Sequence, residues 1–214
     1  MPPFGKDKKT RASFIRGARV FWFIPFLAVL AFFSAGFVCQ ARAESLDSSP
    51  QPLVQIRFLP DRDYFHALID GINDARSEIV FCAYLFKTIE NADGFPERIM
   101  KSLASAVKRG VRVLAIMELN QDSGGLIQTN SETAERLNKS GIRVCPDPRD
   151  LVTHTKLVVI DRRYLFVGSH NLTQSALKYN HEVSVWINSP SMAEEALRYV
   201  DSICRTGCED KVRK

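Results

Sequence analysis

Apolar and polar positions follow two rhythms along this chain, and the changes of rhythm mark its elements. Leu53 to Leu59 reads as a strand, and Asp61 to Ala75 as an amphipathic helix with Phe65, Leu68, Ile69 and Ile72 on one side. Glu78 to Tyr84 is a short apolar strand. Asn91-Ala92-Asp93-Gly94 breaks the pattern as a loop. Pro96 then opens a helix to Arg109, with Ile99, Leu103 and Val107 at four-residue steps, and Gly110 ends it. Val111 to Glu118 is the next strand, and the loop Asp122-Ser123-Gly124-Gly125 follows. Ser131 is placed to cap a helix to Ser140, closed by Gly141. Ile142 to Cys145 is a short strand and Pro146 to Pro148 a turn. His154 to Ile160 and Tyr164 to Val167 read as strands joined through Asp161-Arg162-Arg163, with Glu182 to Ile187 as another strand and Ser191 to Arg205 as the final helix. Strands alternating with helices predict an α/β fold, and the paired late strands predict a mixed β-sheet flanked by helices in a sandwich.

The N-terminal segment obeys neither rhythm. Residues 1–19 carry Lys6, Lys8, Lys9, Arg11, Arg16 and Arg19 against the single acid Asp7, and Val20 to Val38 runs 19 residues without a charge. Ala41-Arg42-Ala43, a small-x-small cleavage pattern, follows directly. This is the layout of a secretory signal peptide, and the apolar run is also about long enough to span a bilayer as a retained anchor. Either way the domain is exported: periplasmic or secreted, or held at the inner membrane by residues 20–38. The expected organisation is therefore residues 1–43 as signal peptide or membrane anchor, 44–52 as a Ser/Pro-rich linker, 53–205 as one domain and 206–214 as a tail.

Charge changes meaning once this segment is set aside. The chain carries +5, but residues 1–43 hold seven Lys/Arg and one acid, so the remainder sits at −1. Basicity belongs to the targeting segment and says nothing of a polyanionic partner. Four cysteines, Cys82, Cys145, Cys204 and Cys208, fall in residues 44–214. In an oxidising compartment Cys204 and Cys208 are close enough in sequence to bridge, the alternative being reduced thiols.

The chemistry concentrates in His154-x-Lys156-x-x-x-x-Asp161, followed by Gly168-Ser169-His170-Asn171 and, downstream, Asn180-His181-Glu182. Side chains two apart on an extended strand share a face, so a nucleophile or proton donor stands beside a fixed positive charge. That pairing suits reaction at an anionic phosphodiester. The set resembles the phospholipase D superfamily signature, HxKxxxxD with GSxN and a downstream glutamate. The order of elements over residues 53–205 is similar to that of small bacterial single-motif members of the secreted endonuclease type. The resemblance implies a phosphodiesterase with His154, Lys156, Asp161, Ser169, Asn171 and Glu182 as its site residues.

Each role has a physical rationale. His154 as a neutral imidazole attacks phosphorus and forms a phosphohistidine. Lys156 supplies charge to the non-bridging oxygens, and Ser169 and Asn171 offer donors from a turn that Gly168 lets approach closely. Glu182 is placed to accept from the other nitrogen of a His154 imidazole and fix its tautomer. Asp161 lies seven residues from His154, on the opposite side of the strand or in the turn, and a structural role suits it better than proton transfer. Glu118, His170 and His181 border the site at most, and His66 lies on the first helix.

The family mechanism needs two histidines facing one phosphate, one attacking and one protonating the leaving oxygen. The chain has four histidines, and only His154 has a lysine two residues on. A homodimer with one composite active site is the expected solution. No cofactor and no metal is implied, since no carboxylate or histidine cluster has ligand spacing. Two substrates remain open, nucleic acid and phospholipid. The first reading is a metal-independent endonuclease on DNA or RNA, with Arg149, Arg162, Arg163 and Lys178 as local basic residues. The alternative is a phospholipase D releasing lipid head groups, which export and membrane association favour. A catalytically degenerate, membrane-tethered binding module is the non-enzymatic option.

Overall fold

Residues 54–120, 125–147 and 151–204 are described by the structure, a computed structural model. The segments expected to be the leader, linker and C-terminal tail lie outside the described residues, as does Cys208. So do three residues of the loop at 122–125, Asp122, Ser123 and Gly124.

Seven strands form one mixed sheet: β1 (Gln55–Pro60), β2 (Glu78–Ala83), β3 (Arg112–Met117), β4 (Arg143–Pro146), β5 (Lys156–Ile160), β6 (Tyr164–Gly168) and β7 (Val183–Asn188). Their order is β1-β7-β6-β5-β2-β3-β4. β2, β3 and β4 run parallel, and every other pairing is antiparallel. The parallel half is built by the crossover helices α2 (Phe95–Lys108) and α3 (Leu126–Lys139). In the antiparallel half β5 and β6 are joined by a tight turn of Asp161, Arg162 and Arg163, the first two at positive φ.

The alternation of side chains sorts the sheet into two faces. Ile79, Phe81, Val158, Ile160 and Phe166 pack under α1 (Arg62–Asp74) and α2 on one face. Val80, Cys82, Val159, Leu165 and Ile187 pack under α5 (Pro190–Ile203) on the other. Because both faces are covered, β2 is buried at every position, which is why it reads as an unbroken apolar run rather than an alternating one.

Three expectations are corrected, and one left open is decided. The helix expected from Ser131 starts at Leu126: Asn130 and Thr133, polar by type, are fully buried and belong to its inward face. The strand expected from His154 starts at Lys156, so His154 stands in the approach to β5. A one-turn helix, α4 (Gln174–Lys178), lies where no element was expected, capped by the Thr173 hydroxyl accepting from Ala176 N at 3.2 Å. Of the two readings open for Cys204 the structure has the reduced one: it carries a free thiol, half-buried against the cluster holding Cys82, whereas Cys145 is disulfide-bonded. Burial and the nearby Asp201 push the Cys204 thiol up to about 11, so it is held protonated.

Candidate active site

The antiparallel half of the sheet brings the motif together. In it the start of β5, the end of β6 and the start of β7 fall at one edge, with Leu157 opposite Val167 and Gly168 opposite Ser184. His154 and Lys156, the Gly168–Asn171 turn and Glu182 converge there although they span nearly thirty positions of sequence.

Hydrogen bonds to the neighbouring parallel strands fix the approach to β5. Thr153 N donates to Glu118 Oε2 at 2.7 Å, and Tyr84 N donates to Thr155 O at 3.1 Å. Glu118 is wholly buried, so the backbone beside His154 hangs on an internal carboxylate. The Tyr84 ring lies 4.3 Å from the His154 ring at 60° and 4.8 Å from the Lys156 ammonium. Lys156 Nζ stands 3.2 Å from both His154 ring nitrogens and donates to the His154 carbonyl at 2.9 Å. Burial first, and then the Lys156 charge, hold the imidazole below the ordinary histidine value. It is therefore neutral at pH 7, as a nucleophile must be. Burial also lowers Lys156, with Glu182 opposing.

The GSxN turn depends on its glycine. A Cβ at Gly168 would run into Ser184 and the Val183 carbonyl, so only glycine lets β6 lie this close to β7. Ser169 Oγ accepts from Val183 N at 3.1 Å and donates to the Glu182 carboxylate. Glu182 Oε1 also accepts from Asn180 Nδ2 at 3.1 Å. Within one chain the Glu182 carboxylate is thus held by Ser169 and Asn180, with no bond to His154. Asn171 lines a small pocket with Lys156, and its amide oxygen is buried with no partner among the described residues. A buried amide left in this state is a hydrogen-bonding group waiting for a ligand.

Two residues that the pattern did not single out complete the geometry. Tyr84 covers both His154 and Lys156. Asp61 accepts from Glu182 N at 3.0 Å while its own N–H donates to the Glu182 carbonyl at 2.9 Å. The bond from Glu182 N–H, then the one from His181, hold the Asp61 carboxyl below its ordinary value. A positive φ of 48° at a non-glycine residue was the feature that could have marked Asp61, and it is visible only in the fold.

The remaining histidines do other work. His170 is buried, stacked on Tyr64 at 4.4 Å, with Nε2 2.8 Å from the Asp61 carbonyl and Nδ1 2.7 Å from Ser184 Oγ. A carbonyl only accepts, so Nε2 carries the proton and Nδ1 accepts from the serine, leaving no nitrogen free to react. Burial holds this ring below the ordinary histidine value too. His181 is exposed and pairs with Asp61 at 3.3 Å, and His66 is exposed on α1.

Asp161 sits at the far end of β5. Its carboxylate accepts from Arg76 N at 2.9 Å, Ser77 N at 2.8 Å, Ser77 Oγ at 2.8 Å and Glu78 N at 3.1 Å. Burial pulls this carboxyl up, but the four donors outweigh it and hold it below the ordinary aspartate value. Four steps of about 3.3 Å, roughly 13 Å, separate the ends of β5, and Asp161 lies one residue beyond the end far from Lys156. Asp161 ties the β5–β6 turn to the start of β2 and does not face the reacting groups. Among the described residues no group of three or more His, Cys, Asp or Glu side chains is placed to hold a metal ion.

Comparison with known proteins agrees with this geometry. Residues 68–204 match the family described as cardiolipin synthase, PLD-like domain. The chain is 29% identical over 139 residues to cardiolipin synthase A of Pectobacterium atrosepticum, covering 59% of this chain and 27% of that protein. It is 28% identical over 142 residues to a phospholipase D of Rickettsia bellii, covering 66% and 64%. It thus spans about a quarter of the synthase and under two thirds of the phospholipase. Among solved structures it superposes on Nuc of Salmonella typhimurium, a phospholipase D family member, with TM-score 0.61 and 26% identity, covering 75% of this chain and 99% of that one. NucT from Helicobacter pylori, at 20% identity and TM-score 0.59, shares the fold. With HxK, GSxN and the glutamate gathered at one edge of this sheet, and with the PLD-like match running through most of the described domain, the chain belongs to the phospholipase D superfamily.

Proposed function

We propose that this chain is a phosphodiesterase that works through a phosphohistidine and takes nucleic acid as its substrate. The observation that carries the chemistry is the neutral His154 imidazole with the Lys156 ammonium 3.2 Å from its ring nitrogens. His154 attacks phosphorus, the P–O bond to the leaving group breaks, and water then cleaves the P–N bond. Lys156 neutralises the non-bridging oxygens as charge builds, and the unpartnered Asn171 amide, turned to present its NH₂, donates to the same group.

The leaving oxygen needs a proton that the attacking histidine cannot give. His170 is bonded at both nitrogens, and His181 points into solvent as the partner of Asp61. A second copy of the chain supplies the general acid, as its own His154, in a two-fold symmetric dimer. In that arrangement Glu182, with Ser169 and Asn180 holding its carboxylate, orients an imidazole of the composite site. The positive charge comes from Lys156 and its symmetry mate, so turnover is expected to persist in excess chelator.

Nucleic acid is favoured by correspondence with nearly the whole of Nuc. Phospholipid is the second reading, supported by the names of the relatives, cardiolipin synthase and phospholipase D. Export fits the N-terminal pattern and the disulfide at Cys145. The deciding experiment sets full-length protein and His154→Ala against plasmid DNA, RNA and mixed phospholipid vesicles, each with EDTA. DNA or RNA cleavage that disappears in His154→Ala supports the proposal. Cleavage that persists in His154→Ala, or hydrolysis of vesicles alone, overturns it.

A further inference from the structure

A second cavity lies away from the catalytic edge. A groove of about 740 Å³ opens at the opposite end of the same strands, walled by α1 and by the Asp161 turn. Its floor is aromatic: Tyr164 and Trp186 stack with their planes nearly parallel, 16° apart with centroids at 5.6 Å, and both are half-exposed. Gly71 lets the α1 wall close down, since a Cβ there would press on Ile160 and Phe166 at 3.1 and 3.3 Å.

Three arginines stand around this floor. The Arg57 guanidinium lies 5.8 Å from the Trp186 ring centre, and that of Arg163 lies 5.5 Å from Tyr164. Arg76 lines the third side. Elsewhere Arg112, Arg136 and Arg162 are each paired with a carboxylate. None of the three groove arginines has such a partner among the described residues. Arg163 is steered instead by Asn188, whose Oδ1 accepts from its Nε at 2.8 Å. Of the groove's carboxylates, Asp161 is spent on backbone N–H groups and the Ser77 hydroxyl, and Asp70 and Asp74 on α1 are acceptors in the same lining as the arginines.

A pair of stacked aromatic rings, guanidinium groups over their faces and carboxylates in the same lining match a planar, hydrogen-bonding, anionic unit. They do not match an acyl chain, for which charged walls are the wrong lining. Resting on the nuclease reading above, we infer that this groove docks a nucleotide of a single-stranded nucleic-acid substrate about 13 Å from the catalytic edge. A base stacks on Tyr164 and Trp186, its phosphate meets Arg57 and Arg163, and Asp70 and Asp74 accept from amino or hydroxyl edges. At about 3.4 Å per stacked nucleotide the groove and the site lie some four nucleotides apart, so the groove serves only substrates long enough to reach both.

The test uses full-length protein with Arg57→Ala/Arg163→Ala and, separately, Trp186→Leu. Binding is read by anisotropy of labelled single-stranded oligonucleotides of about three and about fifteen nucleotides in a His154→Ala background. The fifteen-mer is expected to bind about ten-fold more weakly in both variants and the three-mer unchanged. The double arginine variant also flattens the slope of log affinity against log salt by about 0.7, the value for one lost phosphate contact on a single strand. With His154 present, KM for the fifteen-mer rises while kcat, and hydrolysis of bis(p-nitrophenyl) phosphate, stay at the parent level. Parent-like binding of the fifteen-mer by the arginine variant overturns the proposal, and that variant decides the matter if Trp186→Leu does not fold. A parent protein that hydrolyses the small diester but neither binds nor cuts oligonucleotides overturns the nuclease reading and the groove with it. Oligonucleotide cleavage unchanged in the groove variants overturns the groove alone.

Discussion

The two ends of β5 carry the two ends of one motif, yet they are finished in opposite ways. At the Asp161 end a carboxylate meets four donors and nothing is left over. At the Lys156 end the ammonium crowds a neutral imidazole, and the Asn171 amide oxygen is buried without a partner. The first end is complete as it stands, whereas the second keeps a buried acceptor without a donor beside the imidazole and the ammonium. A conserved-looking spacing such as HxKxxxxD therefore joins a reactive half to a structural half, and the hydrogen-bond inventory tells them apart where the spacing does not.

The sharpest way to break this comparison is to treat the two ends alike by substitution. Lys156→Met is expected to lower kcat/KM by about 10²- to 10³-fold, the scale of removing one preorganised electrostatic stabiliser, with thermal unfolding little changed. Asp161→Ala is expected to do the reverse. It leaves the N–H groups of Arg76, Ser77 and Glu78 without their acceptor and costs about 2 kcal/mol of stability, while kcat/KM of the folded fraction moves less than about three-fold. Steady-state kinetics and denaturant unfolding on both variants decide it. A collapse of kcat at full stability in Asp161→Ala would place that carboxylate in the reaction.

Mixing chains sharpens the same contrast at smaller scale. If each active site needs a His154 from two copies, equal amounts of wild-type and His154→Ala chains, exchanged to equilibrium, form active dimers only when both chains are wild type. Activity then falls to about a quarter of that of an all-wild-type preparation at the same total concentration, whereas independent sites retain half. Mixing with Asp161→Ala chains leaves activity near the full value.

How much of this was legible in the sequence depended on which kind of residue carried the information. The sheet and its main helices followed from apolar rhythm because their inward faces are apolar. The rhythm failed at α3, where Asn130 spends its buried amide on Phe86 N, Tyr84 O and Glu118 O and so passes for a surface residue in a pattern of hydrophobics. It failed at α4, whose single turn is too short to show a period. Within the site, His154, Lys156, Ser169, Asn171 and Glu182 stood out by type and spacing. Tyr84 and Asp61 did not, because what they contribute is contact across the chain. Cys204 was left open between a bridge to Cys208 and a reduced thiol for a related reason: nearness in sequence says nothing of a side chain packed against the core cluster that holds Cys82.

Acid separates the two ends by the smallest effect and in a definite order. His154 is held below the ordinary histidine value of about 6.5, by burial and by Lys156, so it stays neutral down to a lower pH than a free histidine. Protonation removes the nucleophile, so kcat/KM falls as pH drops through that lowered value. Asp161 is a carboxylate whose folded value is depressed below the ordinary 3.8. The stability it contributes is fully present above the unfolded value, and it is lost only as pH falls through the folded one. Between these two windows lies a range in which activity has gone and the fold has not. Parallel pH series of kcat/KM and melting temperature should show the activity limb first, reversible on return to neutral pH, and the stability loss only in the carboxylate range. Asp161→Ala should flatten the second limb and leave the first in place. Coincident limbs would mean that the neutral imidazole and the satisfied carboxylate are not separately responsible for chemistry and for fold.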